Sequence, residues 1–67
     1  MMKAVIEIKM DNAAFGGLDA GLELARILRG VAQACEEGRD RKVLFDVNGN
    51  NVGEFKIVGA GTRGENV

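Results

Sequence analysis

The chain reads as an α+β domain of order β-α-β-β, with one helix packed on a three-stranded antiparallel sheet. Three observations predict it. Residues 3–10 alternate apolar and polar side chains, residues 19–37 carry apolar side chains at helical spacing, and Asp46-Val47-Asn48-Gly49 interrupts two further apolar runs with turn-forming residues.

In the first run Ala4, Ile6, Ile8 and Met10 share one side, and Lys3, Glu7 and Lys9 share the other with Val5. This is the period-two pattern of a half-buried strand. Asp11-Asn12 and Gly16-Gly17 then end the alternation, and Phe15 between them is expected to plug the edge of the core. At about 100° per residue, Leu24, Leu28, Val31 and Cys35 form one helical stripe flanked by Ala25 and Ala32, which predicts the buried face. Asp19 suits the N-terminus, where its charge meets the free amides, and Gly38 suits the C-terminal position of positive φ. Leu22 falls on the solvent side between Arg26 and Arg29.

Two hairpin registers compete over residues 43–58. A two-residue Asn48-Gly49 turn would set Val43 against Glu54 and mix the faces. A type I turn beginning at Asp46, with Gly49 left-handed in a bulge, sets Asp46 against Asn50 and places Val43 and Phe45 on one face with Gly53, Phe55 and Ile57. The bulged turn is the expected one. The other face would then carry Val5, Leu44, Val52 and Val58 among Lys3, Glu7, Lys9, Glu54 and Lys56, which makes a homodimer or another partner contact plausible there. A split arrangement with strand order 1-3-2 is expected, and order 3-2-1 would bury the same residues. Residues 1–58 form the domain, and residues 59–67 read as a flexible tail.

With 67 residues, 46% of them hydrophobic and 28% charged, the chain belongs with small globular proteins rather than disordered ones. A formal net charge of −1 gives no overall pull toward nucleic acid or anionic membrane. Histidine, tryptophan, tyrosine and proline are absent, and Cys35 is the single cysteine. That removes the commonest general base and metal ligand, the best base-stacking residues and any internal disulfide, so no enzyme activity, metal or cofactor is expected. No run resembles a signal peptide or a spanning helix, which points to the cytoplasm and away from the membrane.

Apparent motifs dissolve on inspection. Gly59-Ala60-Gly61-Thr62-Arg63-Gly64 has the letters of a dinucleotide-binding loop, yet too few residues follow for the helix that would receive the pyrophosphate. Asp46, Asn48 and Asn50 are spaced like calcium ligands, but Asn51 and Ile57 stand where that loop needs glycine and glutamate. Cys35, on the stripe and without a histidine to activate it, reads as core filler. Arg39, Arg41 and Lys42, with Arg26 and Arg29, could form a basic patch, but Asp40 and Glu36-Glu37 offset it.

Three blocks, Asp11-Asn12-Ala13-Ala14-Phe15, Leu24-Ala25-Arg26-Ile27-Leu28 and Asp46-Val47-Asn48-Gly49-Asn50-Asn51-Val52-Gly53, together resemble a group of small uncharacterised proteins of phage and prophage origin. The resemblance lies within residues 3–58. It implies a phage setting in a host cell and brings no catalytic or ligand residues with it. The expected function is a non-enzymatic protein-binding module, with a phage accessory inhibitor of a host defence complex, anti-CRISPR-like, as its sharper form. The candidate surface is the polar side of the helix, with Asp19, Leu22, Glu23, Arg26, Arg29, Glu36 and Glu37, and the partner a host or phage protein. The alternative is a structural or nucleic-acid-binding accessory protein that uses Arg39, Arg41 and Lys42.

Overall fold

The computed structural model describes residues 1–59. Past Gly59, the expected tail and the glycine-rich letters lie outside the described residues. The elements run β1 (Lys3–Ile8), α1 (Ala20–Glu36), β2 (Arg41–Phe45) and β3 (Asn51–Val58), with two short 3-10 turns, Ala13–Phe15 and Gly17–Asp19, before the helix. The sheet is antiparallel in the order β1-β3-β2, as expected, and the alternative 3-2-1 is excluded.

Phe15 is buried in the first 3-10 turn, where its amide donates to the Asn12 carbonyl at 2.9 Å. Asp19 occupies the N-cap position of α1, but its side chain caps nothing. Its φ of −91° and ψ of 6° follow from the 3-10 turn that runs into the helix, whereas a capping carboxylate needs extended backbone. At the other end the Gly38 amide donates to Cys35 and the Arg39 amide to Ala34, the paired bonds of a Schellman motif, with Gly38 at φ 81°.

The buried face of α1 differs from the expected stripe. Ile27, Val31 and Ala34 are buried with Glu23, while Leu28 and Cys35 are exposed and Leu24 is only half-buried. The helix is thus rolled by roughly 60° about its axis relative to the stripe of largest side chains. The cause is tertiary: Arg26 and Glu23 bond to the β2–β3 hairpin, which draws that flank of the helix over β2 and lifts the Leu28 flank away. Cys35 is therefore a surface thiol and not core filler.

The turn is the bulged type I turn. The Gly49 amide donates to the Asp46 carbonyl at 3.0 Å, the Asp46 amide to the Asn50 carbonyl at 2.9 Å, and Gly49 has φ 85°. Replacing Gly49 with valine should cost about 1–2 kcal/mol in a urea titration, since an L side chain is strained at that φ.

Beyond the turn the register departs from expectation. Phe45 pairs with Asn51, but Leu44 pairs with Gly53, so Val52 is an extra residue in β3. One inserted residue reverses which β2 side chains face the helix. Leu44, Val52 and Phe55 are buried with Phe15, Ile27 and Val31, and Val43 and Phe45 stand half-exposed on the open face. Val43 and Phe45 thus do not lie under the helix, and Leu44 and Val52 do not belong to the open face.

Candidate functional site

The polar framework of the molecule is concentrated at the hairpin end. Asp46, which is 3% exposed, accepts hydrogen bonds at one oxygen from the Asn48 and Asn50 amides and at the other from the side chains of Asn12 and Asn50, at 2.8–3.1 Å. Asn12 belongs to the β1–α1 connection, so this carboxylate ties that segment to the turn. Its acceptor positions are filled by donors, which accounts for the alternate Asp-Asn-Asn spacing without a cation.

Glu23 does the same work from the helix. It takes a bidentate pair from Arg26 at 2.9 Å and accepts the Val47 amide at 2.7 Å, while Arg26 also reaches the Phe45 carbonyl at 3.1 Å. Bidentate charge-assisted bonds fix both side chains in orientation as well as distance. The Arg26 bond holds the Glu23 carboxyl below its usual range, against the opposing effect of desolvation.

The Asp46 carboxyl is lowered from 3.8 to about 2, chiefly by the Asn50 amide, with desolvation opposing and Asn12, the Asn50 side chain and the Asn48 amide adding to the effect. Its folded value lies below the unfolded one, so the unfolded chain takes up the proton first as pH falls. The stabilisation is whole above about pH 4 and is lost as pH drops through about 2. The urea midpoint should therefore fall across that window, and Asp46→Asn should both lower the midpoint at neutral pH and flatten its acid dependence.

Around this framework the surface is apolar. Leu22 and Val47, 71% and 66% exposed, line a shallow depression of about 370 Å³ with Ala14, Asp19, Glu23 and Arg26. Leu18, wholly exposed, precedes Asp19 in the 3-10 turn. Of the seven residues expected on the helix surface, Asp19, Leu22, Glu23 and Arg26 thus come together. Glu23, 8% exposed, serves as a structural anchor beneath the others rather than as a contact.

Arg29 does not line this depression. Glu36 and Glu37 lie at the far end of α1, about 21 Å away at 1.5 Å per residue. Glu37 is occupied there by Gln33 and by Arg39, at 3.2 and 3.4 Å. Of the basic residues of the alternative reading, Arg39 and Lys42 line one depression together with Glu37, and Arg41 lies apart from them. Arg41 pairs with Lys56 on the open face, whereas Lys42 pairs with Phe55 on the helix side and Arg39 faces Glu37.

Sequence reasoning overlooked Val47, treating it only as part of the turn. The available signal was chemical: a β-branched apolar residue at the second position of a type I turn contributes nothing to turn chemistry, so its exposure wants another explanation. Among the described residues, no group of three or more histidine, cysteine, aspartate or glutamate side chains could hold a metal ion. No helix in the described region is long and apolar enough to cross a membrane. No protein-family model matches the chain, and no curated protein and no solved structure matches it significantly.

Proposed function

We propose that the protein is a non-enzymatic protein-binding module that docks through the hairpin end. The observation that carries this reading is the pair of exposed side chains Leu22 and Val47, set on a frame whose polar groups are already satisfied by Glu23, Arg26 and Asp46. Exposed apolar side chains on a rigid base can be desolvated by a partner at little conformational cost. Asp19 and Arg26 at the rim supply charges that orient the partner without being needed for its burial.

The resemblance to small phage and prophage proteins gives this reading its setting. The partner is then a host or phage protein met in the host cytoplasm, and the sharper form is an accessory inhibitor that occludes a surface of a host defence complex. A Leu22→Asp, Val47→Asp double variant tests it. Both side chains are exposed, so the fold should be retained within about 0.5 kcal/mol per substitution. The tagged full chain is expected to retain a defined host protein from infected-cell lysate, and the variant to retain at least tenfold less. Retention of nothing beyond an unrelated tagged control of similar size, or equal retention by the variant, would overturn the proposal.

A further inference from the structure

Among the described residues β1 pairs only with β3, and the pattern of its other edge is complementary to itself. The Lys9 amide donates to the Val52 carbonyl at 2.7 Å at the end of the β1–β3 ladder, and antiparallel ladders alternate. The odd-numbered residues of β1 therefore turn their amides and carbonyls toward β3. Those of Ala4, Ile6 and Ile8 point outward from the sheet.

We infer that this edge pairs with the same edge of a second copy of the chain, antiparallel and centred on Val5, to give a continuous six-stranded sheet. Outward-facing backbone groups can meet only even residue to even residue, which limits the registers. The one centred on Val5 sets Ala4 against Ile6 of the second copy and Lys3 against Glu7, twice by symmetry. The register centred on Ile6 instead opposes Lys3 to Lys9, and the one centred on Glu7 opposes Glu7 to itself. Opposite charges directly across a pair stabilise it and like charges destabilise it, and the register centred on Ile8, which opposes Glu7 to Lys9, overlaps the strand Lys3–Ile8 only at its end, so charge and overlap together select the first.

Two further observations favour the second copy. The helix-side face of β1 is left partly bare, with Ile6 44% exposed and Leu28 39% exposed. Arg26 and Gly30 lie on the flank of α1 that meets β2, at the Phe45 carbonyl and beside Lys42, so helical geometry puts Leu24 and Leu28 on the flank toward β1. A symmetry-related copy brings these apolar strips together above the new strand pair. The opposite edge is guarded: Arg26 occupies the Phe45 carbonyl on β2, and Arg41 and Lys42 charge that strand with one sign. In such a dimer the two hairpin ends point in opposite directions, so a partner with repeated sites would be held by both.

Charge exchange at Lys3 and Glu7 tests the surface and the register together. By sedimentation equilibrium the full chain is expected to move from 7.1 kDa toward twice that mass as its concentration rises to about 1 mM. K3E and E7K, each checked for fold by circular dichroism, should each weaken self-association by roughly tenfold, since each turns both pairs from attraction into repulsion. An equimolar mixture of K3E and E7K restores opposite charges at both contacts and should dimerise like the parent chain, as should the K3E/E7K double variant. A parent chain that stays monomeric at about 1 mM, a dimer indifferent to both substitutions, or a mixture as dissociated as its components would overturn the inference.

Discussion

Gly53→Ala is expected to unfold the protein or to cost about 3 kcal/mol, near the upper range for forcing atoms into packed structure. A Cβ at this position would overlap the Glu7 carbonyl oxygen, with the Glu7 carbonyl carbon at 2.9 Å and the Ile8 Cα at 3.1 Å. All three are backbone atoms of β1, so no side-chain rotation can relieve the overlap. The central strand would have to separate from the edge strand at the point where the Val52 bulge has already bent it. A domain of this size has roughly 3–10 kcal/mol of net stability, so the loss consumes a large share of the whole. Urea denaturation measures it, and an unchanged midpoint would show that β3 does not approach β1 as described.

Leu44→Ala and Phe55→Ala form the second prediction, and the comparison with Phe45→Ala gives it its force. Leu44 and Phe55 are each 1% exposed and are the largest fully buried side chains among the described residues. Truncating them should cost about 2–5 and 3–5 kcal/mol respectively, the sum of lost transfer energy and the cavity left behind. Phe45, half-exposed on the open face, should cost about 1 kcal/mol or less. The plain bulged hairpin expected from the sequence predicts the reverse, with Phe45 central and Leu44 dispensable. Thermal or urea unfolding of the three variants separates the two registers without any structural measurement.

Much of the fold follows from local chemistry. The alternation of residues 3–10 and the helical spacing of residues 19–37 give a strand and a helix whose observed bounds differ by no more than two residues at either end. Gly38 marks the helix end because the Schellman geometry needs positive φ. Asp46 to Gly49 specify the turn because the carboxylate can accept its amides and glycine can take its left-handed corner. In each case the residues concerned are near neighbours in the chain.

Placement of the side chains around those elements was harder to read. Helical periodicity predicted the stripe Leu24, Leu28, Val31 and Cys35 as the buried face, but burial on the Ile27 side instead depends on contacts made by Glu23 and Arg26 with residues some twenty positions away. The same holds for the candidate surface. Leu22 was visible as an exposed leucine on the helical wheel, whereas its neighbour Val47 belongs to another element, and only folding brings the two to one depression. Glu23 looked like a surface carboxylate for the same reason, since its partners Val47 and Arg26 close over it in the folded chain.

By itself, then, the sequence determined the element order, the turn type, the helix C-terminus and the poverty of catalytic groups, because these depend on residue types and short-range geometry. Tertiary structure decided the roll of the helix, the face of the hairpin that is buried, the exposure of Cys35 and the gathering of Leu22 and Val47. The physical reason is contact between residues far apart in the chain: Glu23 and Arg26 bond to the hairpin and set the roll of the helix, and the inserted Val52 sets the buried face of the hairpin. A single extra residue inverts the sidedness of a strand pair, and the pairing of Leu44 with Gly53 that inserts it is a long-range choice that no local pattern contains.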